Sequence, residues 1–261
     1  MIKGRGLSPG LASAKAVVCD QYISPLGELG LDGYISAGPC EGSLVSGKIF
    51  IFRGGRGSTV GSYIFLQLKE SGKAPAGIIN ELGEQIVVTG AIISDLPMVD
   101  LMPIDIFVNG DTVTVNGSTG EVKIENVEEK MVATAYVVRN GRLLVMKRSD
   151  SAPTYAGMYG GVSGYIEEGE HPEDTARREV AEEASLTDLK LLEIGKEVQV
   201  RYGQTLFRIT PVLMSSVSGD VKLNYENSSY FWVTRDELQG LETVPKFKEV
   251  FDSLLNSKSL K

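Results

Sequence analysis

The chain has 261 residues, 42% of them hydrophobic, enough for one large or two medium domains with a core in each. A net charge of −8 with no basic cluster argues against nucleic acid or anionic membrane as partners, and no apolar run reaches bilayer length. The two cysteines, Cys19 and Cys40, lie outside any CxxC pair; they are too few to hold an iron–sulfur cluster and read as buried thiols in a reducing cytoplasm.

The start, Met1 to Gly6, has no signal-peptide pattern. Residues 1–127 alternate short apolar runs with glycine turns. Lys15 to Cys19 is a strand candidate, Gly27 to Gly47 a glycine-rich loop, and Lys48 to Phe52 a short apolar run that suits a buried strand. The turn Arg53-Gly-Gly-Arg-Gly follows, leading into a helix from about Ser58 to Glu70 that Gly72 ends. Strands are expected at Ala76 to Ile79, Gln85 to Val88, Asp105 to Val108 and Thr112 to Val115, with Asn109-Gly110 and Asn116-Gly117 as turns. Strands around one clear helix predict a compact α/β or β-rich swivelling domain.

The glycine turn is a place for chemistry. Its glycines let backbone approach an anion, and a helix start offers free N–H groups. Ser58 there reads first as a simple cap. Lys3 to Ser13, Tyr22 to Gly27, Gly47 to Tyr63 and Lys73 to Pro97 together resemble the aconitase X swivel domain, and within it the small subunit of phosphomevalonate dehydratase. Gly55-Arg-Gly-Ser-Thr-Val-Gly-Ser62 is the most specific part. The resemblance implies a hydro-lyase that dehydrates mevalonate 5-phosphate to trans-anhydromevalonate 5-phosphate, with Ser58 as proton acceptor and Arg56 and Gly57 as substrate-binding candidates. Ser62, one turn on, is the weaker candidate for the base. A separate large subunit would bring the iron–sulfur cluster and most substrate ligands. Leu26 to Gly30 departs from the family pattern, where a paired glycine is expected.

Val122 to Lys130 is a polar bridge, and the second domain is expected over 128–261. Met131 to Arg139 and Arg142 to Ser149 form a hairpin around Asn140-Gly141. Further strands are expected in Leu189 to Val200, Thr205 to Met214 and Ser229 to Val233. Thr234 N-caps a turn with Glu237 at the capping-box place, Val244 to Leu255 closes as an amphipathic helix, and the tail Asn256 to Lys261 is expected to fray.

Between these lies Gly164-Tyr-Ile-Glu-Glu-Gly-Glu170, running into a helix that opens with Pro172. Glu179, Glu182 and Glu183 stand at i, i+3 and i+4, so their carboxylates share one face and repel. A hard divalent cation relieves that repulsion. Gly164, Glu170, Arg178, Glu179, Val180, Glu182, Glu183 and Leu186 fall on the places of the Nudix box, which this stretch resembles; Ser185 replaces the late glycine, which bears on how the helix ends. The resemblance implies an α/β/α sandwich that cleaves a diphosphate linkage with Mg²⁺ or Mn²⁺. It implies Glu179, Glu182, Glu183 and Glu170 as metal residues, Glu182 as catalytic, and Arg178 as a ligand-binding and carboxylate-orienting residue. Glu226 reads equally as a water-orienting base and as a surface carboxylate, and Lys147-Arg148 equally as a phosphate holder and as a solvated strand end. Trp232 reads as core, and His171 as a local cap or solvated residue.

Two functions follow. One is a bifunctional isoprenoid-pathway protein, acting on small phosphorylated substrates, whose second half hydrolyses a diphosphate, with an isoprenoid diphosphate as the candidate that the fusion of the two domains suggests. The other is a housekeeping nucleotide hydrolase with the swivel domain as a docking or regulatory module.

Overall fold

A computed structural model describes residues 1–256; the tail expected to fray, beyond Asn256, lies outside the described residues. Backbone contacts divide the chain into two compact units, Met1–Val127 and a second from Glu128 onward. Among the described residues no helix is long and apolar enough to cross a membrane.

The first unit is built on one eight-stranded sheet. In chain order its strands are β1 (Ile2–Lys3), β2 (Arg5–Ser8), β3 (Leu11–Ile23), β4 (Ile49–Gly55), β5 (Gly77–Asn80), β6 (Met98–Asp100), β7 (Thr112–Asn116) and β8 (Glu121–Ile124). Their order across the sheet is β1-β8-β7-β3-β4-β5-β6-β2. Four neighbours, β3 to β6, run parallel. Ile49 to Phe52 has no exposed surface, as a strand covered on both faces requires.

Two helices of equal length lie in this unit besides the short α1 (Pro25–Glu28): α2 (Ser62–Glu70) and α3 (Gln85–Ile93). The β-branched run at Gln85 is thus a helix rather than the expected strand. Ile86, Val87, Gly90 and Ala91 form its buried face, and a side chain at Gly90 would meet the Phe65 ring of α2. Tertiary packing overrides the local preference. Asp105 to Val108 is likewise not a strand, since Ile104–Ile106 is a 3₁₀ turn that buries both isoleucines. Cys19 and Cys40 are not free thiols: they form a disulfide with their Cα atoms 6.0 Å apart, tying the loop to β3.

The supposed bridge at Val122 is mostly strand, ending in β8 and resuming in β9 (Glu128–Arg139). The remaining strands of the second unit are β10 (Arg142–Arg148), β11 (Tyr159–Gly160), β12 (Val162–Tyr165), β13 (Leu189–Ile194), β14 (Val198–Tyr202), β15 (Thr205–Ser216) and β16 (Asn227–Val233). Leu189 to Val200 is therefore two strands, broken at Gly195. Asn140 and Gly141 both take positive φ, 50° and 74°, the geometry of a two-residue hairpin. β9 and β15 are parallel neighbours at the centre, and β10, β12, β13 and β14 pair antiparallel around them.

Alternation along the strands separates two cores. Ala133, Ala135, Val137, Leu144, Met146, Val212 and Met214 face Ala176, Val180 and Ala184 of α4 (Pro172–Ala184). Tyr136, Leu143, Val145 and Leu213 face the other way, onto Leu238 of α5 (Arg235–Gln239) and Phe247, Val250 and Phe251 of α6 (Phe247–Asn256). The unit is an α/β/α sandwich.

Candidate functional site

The glycine turn leaves the end of β4 and reaches Ser58, which caps a 3₁₀ turn, Thr59–Gly61, ahead of α2. Gly57 has φ +101°, a conformation L residues rarely adopt. Ser58 is exposed, and its Oγ accepts one long hydrogen bond from the Val60 amide, at 3.4 Å. Ser62 is buried and its hydroxyl donates to the Thr59 carbonyl at 2.8 Å, so it is committed locally.

Arg56 is held in place rather than left open. It donates to the Tyr22 carbonyl at 2.9 Å and to Glu28 Oε1 at 2.6 Å. The second oxygen of Glu28 accepts from the Ser24 amide at 2.6 Å. The buried Glu28, in the stretch that departs from the family pattern, thus ties α1 to the turn. Sequence reasoning missed it; the available signal was Ser24-Pro25 followed by Glu28, a helix start with an acid at hand to cap it.

In the second unit α4 starts at Pro172 with Glu173 and Asp174 in its first turn. It ends at Ala184 because Ser185 takes the left-handed conformation, φ 57°, donating its amide to the Ala181 carbonyl. Serine therefore does what the late glycine would do.

Glu179 lies directly against Gly164: a side chain at 164 would run into its carboxylate. Arg178 donates to Glu179 at 2.5 Å, to both oxygens of Glu170 at 3.2 Å, and to the Tyr165 carbonyl at 3.3 Å. Those bonds, with the Thr175 hydroxyl and the Glu167 amide, hold the Glu170 carboxyl down at about 2. Arg178 is committed to carboxylates, and Glu170 stands behind it as its anchor. Glu183 is buried; Asn227 donates to it at 2.6 Å, yet burial, helped by the charges of Glu226 and Glu179, pushes it up to about 7. Burial also raises Glu179, against the pull of Arg178 and with help from Glu182 and Glu226.

Glu179, Glu182 and Glu226 line a cavity of about 620 Å³, with Arg148 and Gly164 also on its wall. Arg148 Nε donates to the Thr154 carbonyl at 2.9 Å. Asn227, which positions Glu183, carried no signal in the sequence. Neither Lys147 nor His171 reaches the cavity wall.

Among the described residues no three acidic side chains are gathered tightly enough to hold a cation as they stand. The donor set nonetheless suits a hard divalent ion. It offers carboxylate oxygens only, and two of the carboxylates resist ionisation: Glu183, which is buried, and Glu179, which is partly buried, each beside like charges.

Fold and site together define a swivel-type α/β unit followed by an α/β/α unit with a carboxylate-bearing helix beside a cavity. Residues 1–124 match the family model of the aconitase X swivel domain, and residues 129–254 match that of the NUDIX domain. The phosphomevalonate dehydratase small subunit of Methanocella arvoryzae is 44% identical over 129 residues, covering 47% of this chain and 98% of the relative. That of Methanocaldococcus jannaschii is 42% identical, covering 48% of this chain and 98% of its own length. Aconitase X from Thermococcus kodakaraensis is a structural neighbour at 41% identity and TM-score 0.46, covering 47% of this chain and 95% of the neighbour. A MutT protein from Methanosarcina mazei is another, at 25% identity and TM-score 0.43, covering 49% and 94%. The chain belongs to the phosphomevalonate dehydratase small-subunit family through its first unit, with a NUDIX domain as its second.

Proposed function

We propose that this is a bifunctional enzyme component, with the domain boundary at 127/128. Its second unit hydrolyses a diphosphate linkage with Mg²⁺ or Mn²⁺ held by Glu179, Glu182 and Glu183. The observation that carries this reading is that Glu179, Glu182 and Glu226 line one cavity of a NUDIX unit, with the buried Glu183 feeling the charges of Glu179 and Glu226. When bound, the ion supplies Lewis-acid polarisation of phosphate oxygens and a more acidic water. The chain's residues do the rest. Gly164 makes room for Glu179, Arg178 fixes the partly buried Glu179 and Asn227 the buried Glu183, and Glu182 on the wall accepts the proton of the attacking water. Arg148 offsets the charge of the phosphates. Phosphate release from a diphosphate panel that persists in Glu182→Gln would refute that assignment.

The first unit is the small-subunit component of the hydro-lyase acting on mevalonate 5-phosphate. A separate large subunit completes the site and brings the iron–sulfur cluster. Supporting this are the identity to dehydratase small subunits and the exposure of Ser58, whose neighbour Ser62 is buried and occupied. Mixing the chain with its large subunit and assaying dehydration tests it: Ser58→Ala should abolish turnover. Full activity in that variant would move the base elsewhere, and no activity in the wild type would remove the lyase reading.

A further inference from the structure

The cavity of the second unit has one apolar wall. Val132 on β9 pairs with Ile209 on β15, which pairs in turn with Val198 on β14. Phe207 pairs with Val200 on the same two strands, and all five side chains line the cavity. The carboxylate end is marked by Gly164 on β12, next to β9 in the sheet. From β9 to β14 is two strand steps, so the apolar strip leads away from the carboxylates for about 10 Å.

Side-chain donors and acceptors that read a base edge are missing from that strip, whose one ring is Phe207. Bases are recognised by paired donors and acceptors, with asparagine and glutamine serving adenine and arginine serving guanine. Among the described residues the cavity wall has no Asn, Gln or Asp side chain. The Thr134 and Ser163 hydroxyls bond each other at 2.9 Å, and the Tyr136 hydroxyl donates to the Phe247 carbonyl at 3.4 Å. Arg148, the arginine of the wall, is turned onto Thr154 through two of its nitrogens.

We infer that the second unit's substrate is a prenyl diphosphate of one or two five-carbon units, its branched aliphatic chain lying on the Val132–Ile209–Val198 strip. This rests on the hydrolase reading above. Water oxygen attacks the terminal phosphorus and the bridging P–O bond breaks. A prenyl diphosphate trianion and water give the prenyl monophosphate dianion, hydrogen phosphate and one proton.

The test uses the full chain with Mg²⁺ and follows phosphate release and the organic product by mass spectrometry. Isopentenyl and geranyl diphosphate are compared with methyl diphosphate, ADP and ADP-ribose. Burial of the chain should give at least one prenyl substrate a kcat/KM about 100-fold above methyl diphosphate, and at least tenfold above either nucleotide. Cleavage of ADP or ADP-ribose as fast as the prenyl substrates overturns the inference and leaves the hydrolase reading standing. So does equal cleavage of methyl diphosphate, which would mean that only the phosphates are read. No cleavage of any of the five overturns both.

Discussion

Replacing Glu183 by glutamine separates the electrostatic strain of the site from its chemistry. The residue is 5% exposed, and burial among like charges raises its carboxyl from 4.5 to about 7. A raised folded-state pKa means that the folded form holds more protons than the unfolded form between those two values. Stability therefore falls as pH rises through that window, and the loss is complete above it. At about 1.4 kcal/mol per unit, a rise of that size is on the order of 3 kcal/mol of destabilisation at pH 8. Glu183→Gln keeps an oxygen for the Asn227 amide and removes the charge. In metal-free buffer the variant should thus be more stable than wild type by up to about 3 kcal/mol at pH 8, and equal to it near pH 4.5. Trp232, the single tryptophan, lies in the second unit against Arg139, so its fluorescence in urea reports this unit alone. Mg²⁺ should raise the wild-type midpoint at pH 8 and raise that of the variant much less. Equal metal-free stability at pH 8 would refute the argument that Glu183 is buried at a cost its charge imposes.

Gly164→Ala puts a methyl where the Glu179 carboxylate lies; it should lower hydrolysis at least tenfold and weaken the Mg²⁺ shift of the Trp232 midpoint, and unchanged values of both would show that Glu179 has another place to go. Ser185→Gly should stabilise the second unit by roughly 0.5 kcal/mol, because glycine adopts φ 57° without strain; the lost hydroxyl bond to the Lys222 carbonyl opposes part of the gain. A fall in the Trp232 midpoint would mean that this hydroxyl outweighs the strain. Cys40→Ser opens a loop closed over a separation of 21 residues and should destabilise the first unit by about 3 kcal/mol, measured by circular dichroism in urea. Thiol titration of the native chain should find no free cysteine before reduction.

The box helix was legible residue by residue, since Pro172, the acidic first turn and the i, i+3, i+4 glutamates are all local signals. So were the Asn140-Gly141 hairpin and the Thr234–Glu237 capping box, which forms with both reciprocal bonds. The Gln85 helix was not. Its β-branched residues suit a strand by themselves, and only the fit of Gly90 against Phe65 decides otherwise. The same holds for the roles of the site's side chains. Spacing placed Arg178 and Glu170 near the carboxylates, but not facing each other, and nothing in the spacing brought Asn227 or Glu226 to Glu183.

The sequence by itself thus determined two folding units, their families, and a helix whose three glutamates share a face, because those depend on neighbours within a few residues. Tertiary structure alone decided which of the glutamates is buried, that Glu28 clamps Arg56, that the cysteines meet, and that valines from β9 and β14 share one wall with Ile209. Each of those is a contact between segments far apart in the chain. No local periodicity encodes such contacts, because burial and charge pairing are settled only when the sheets close.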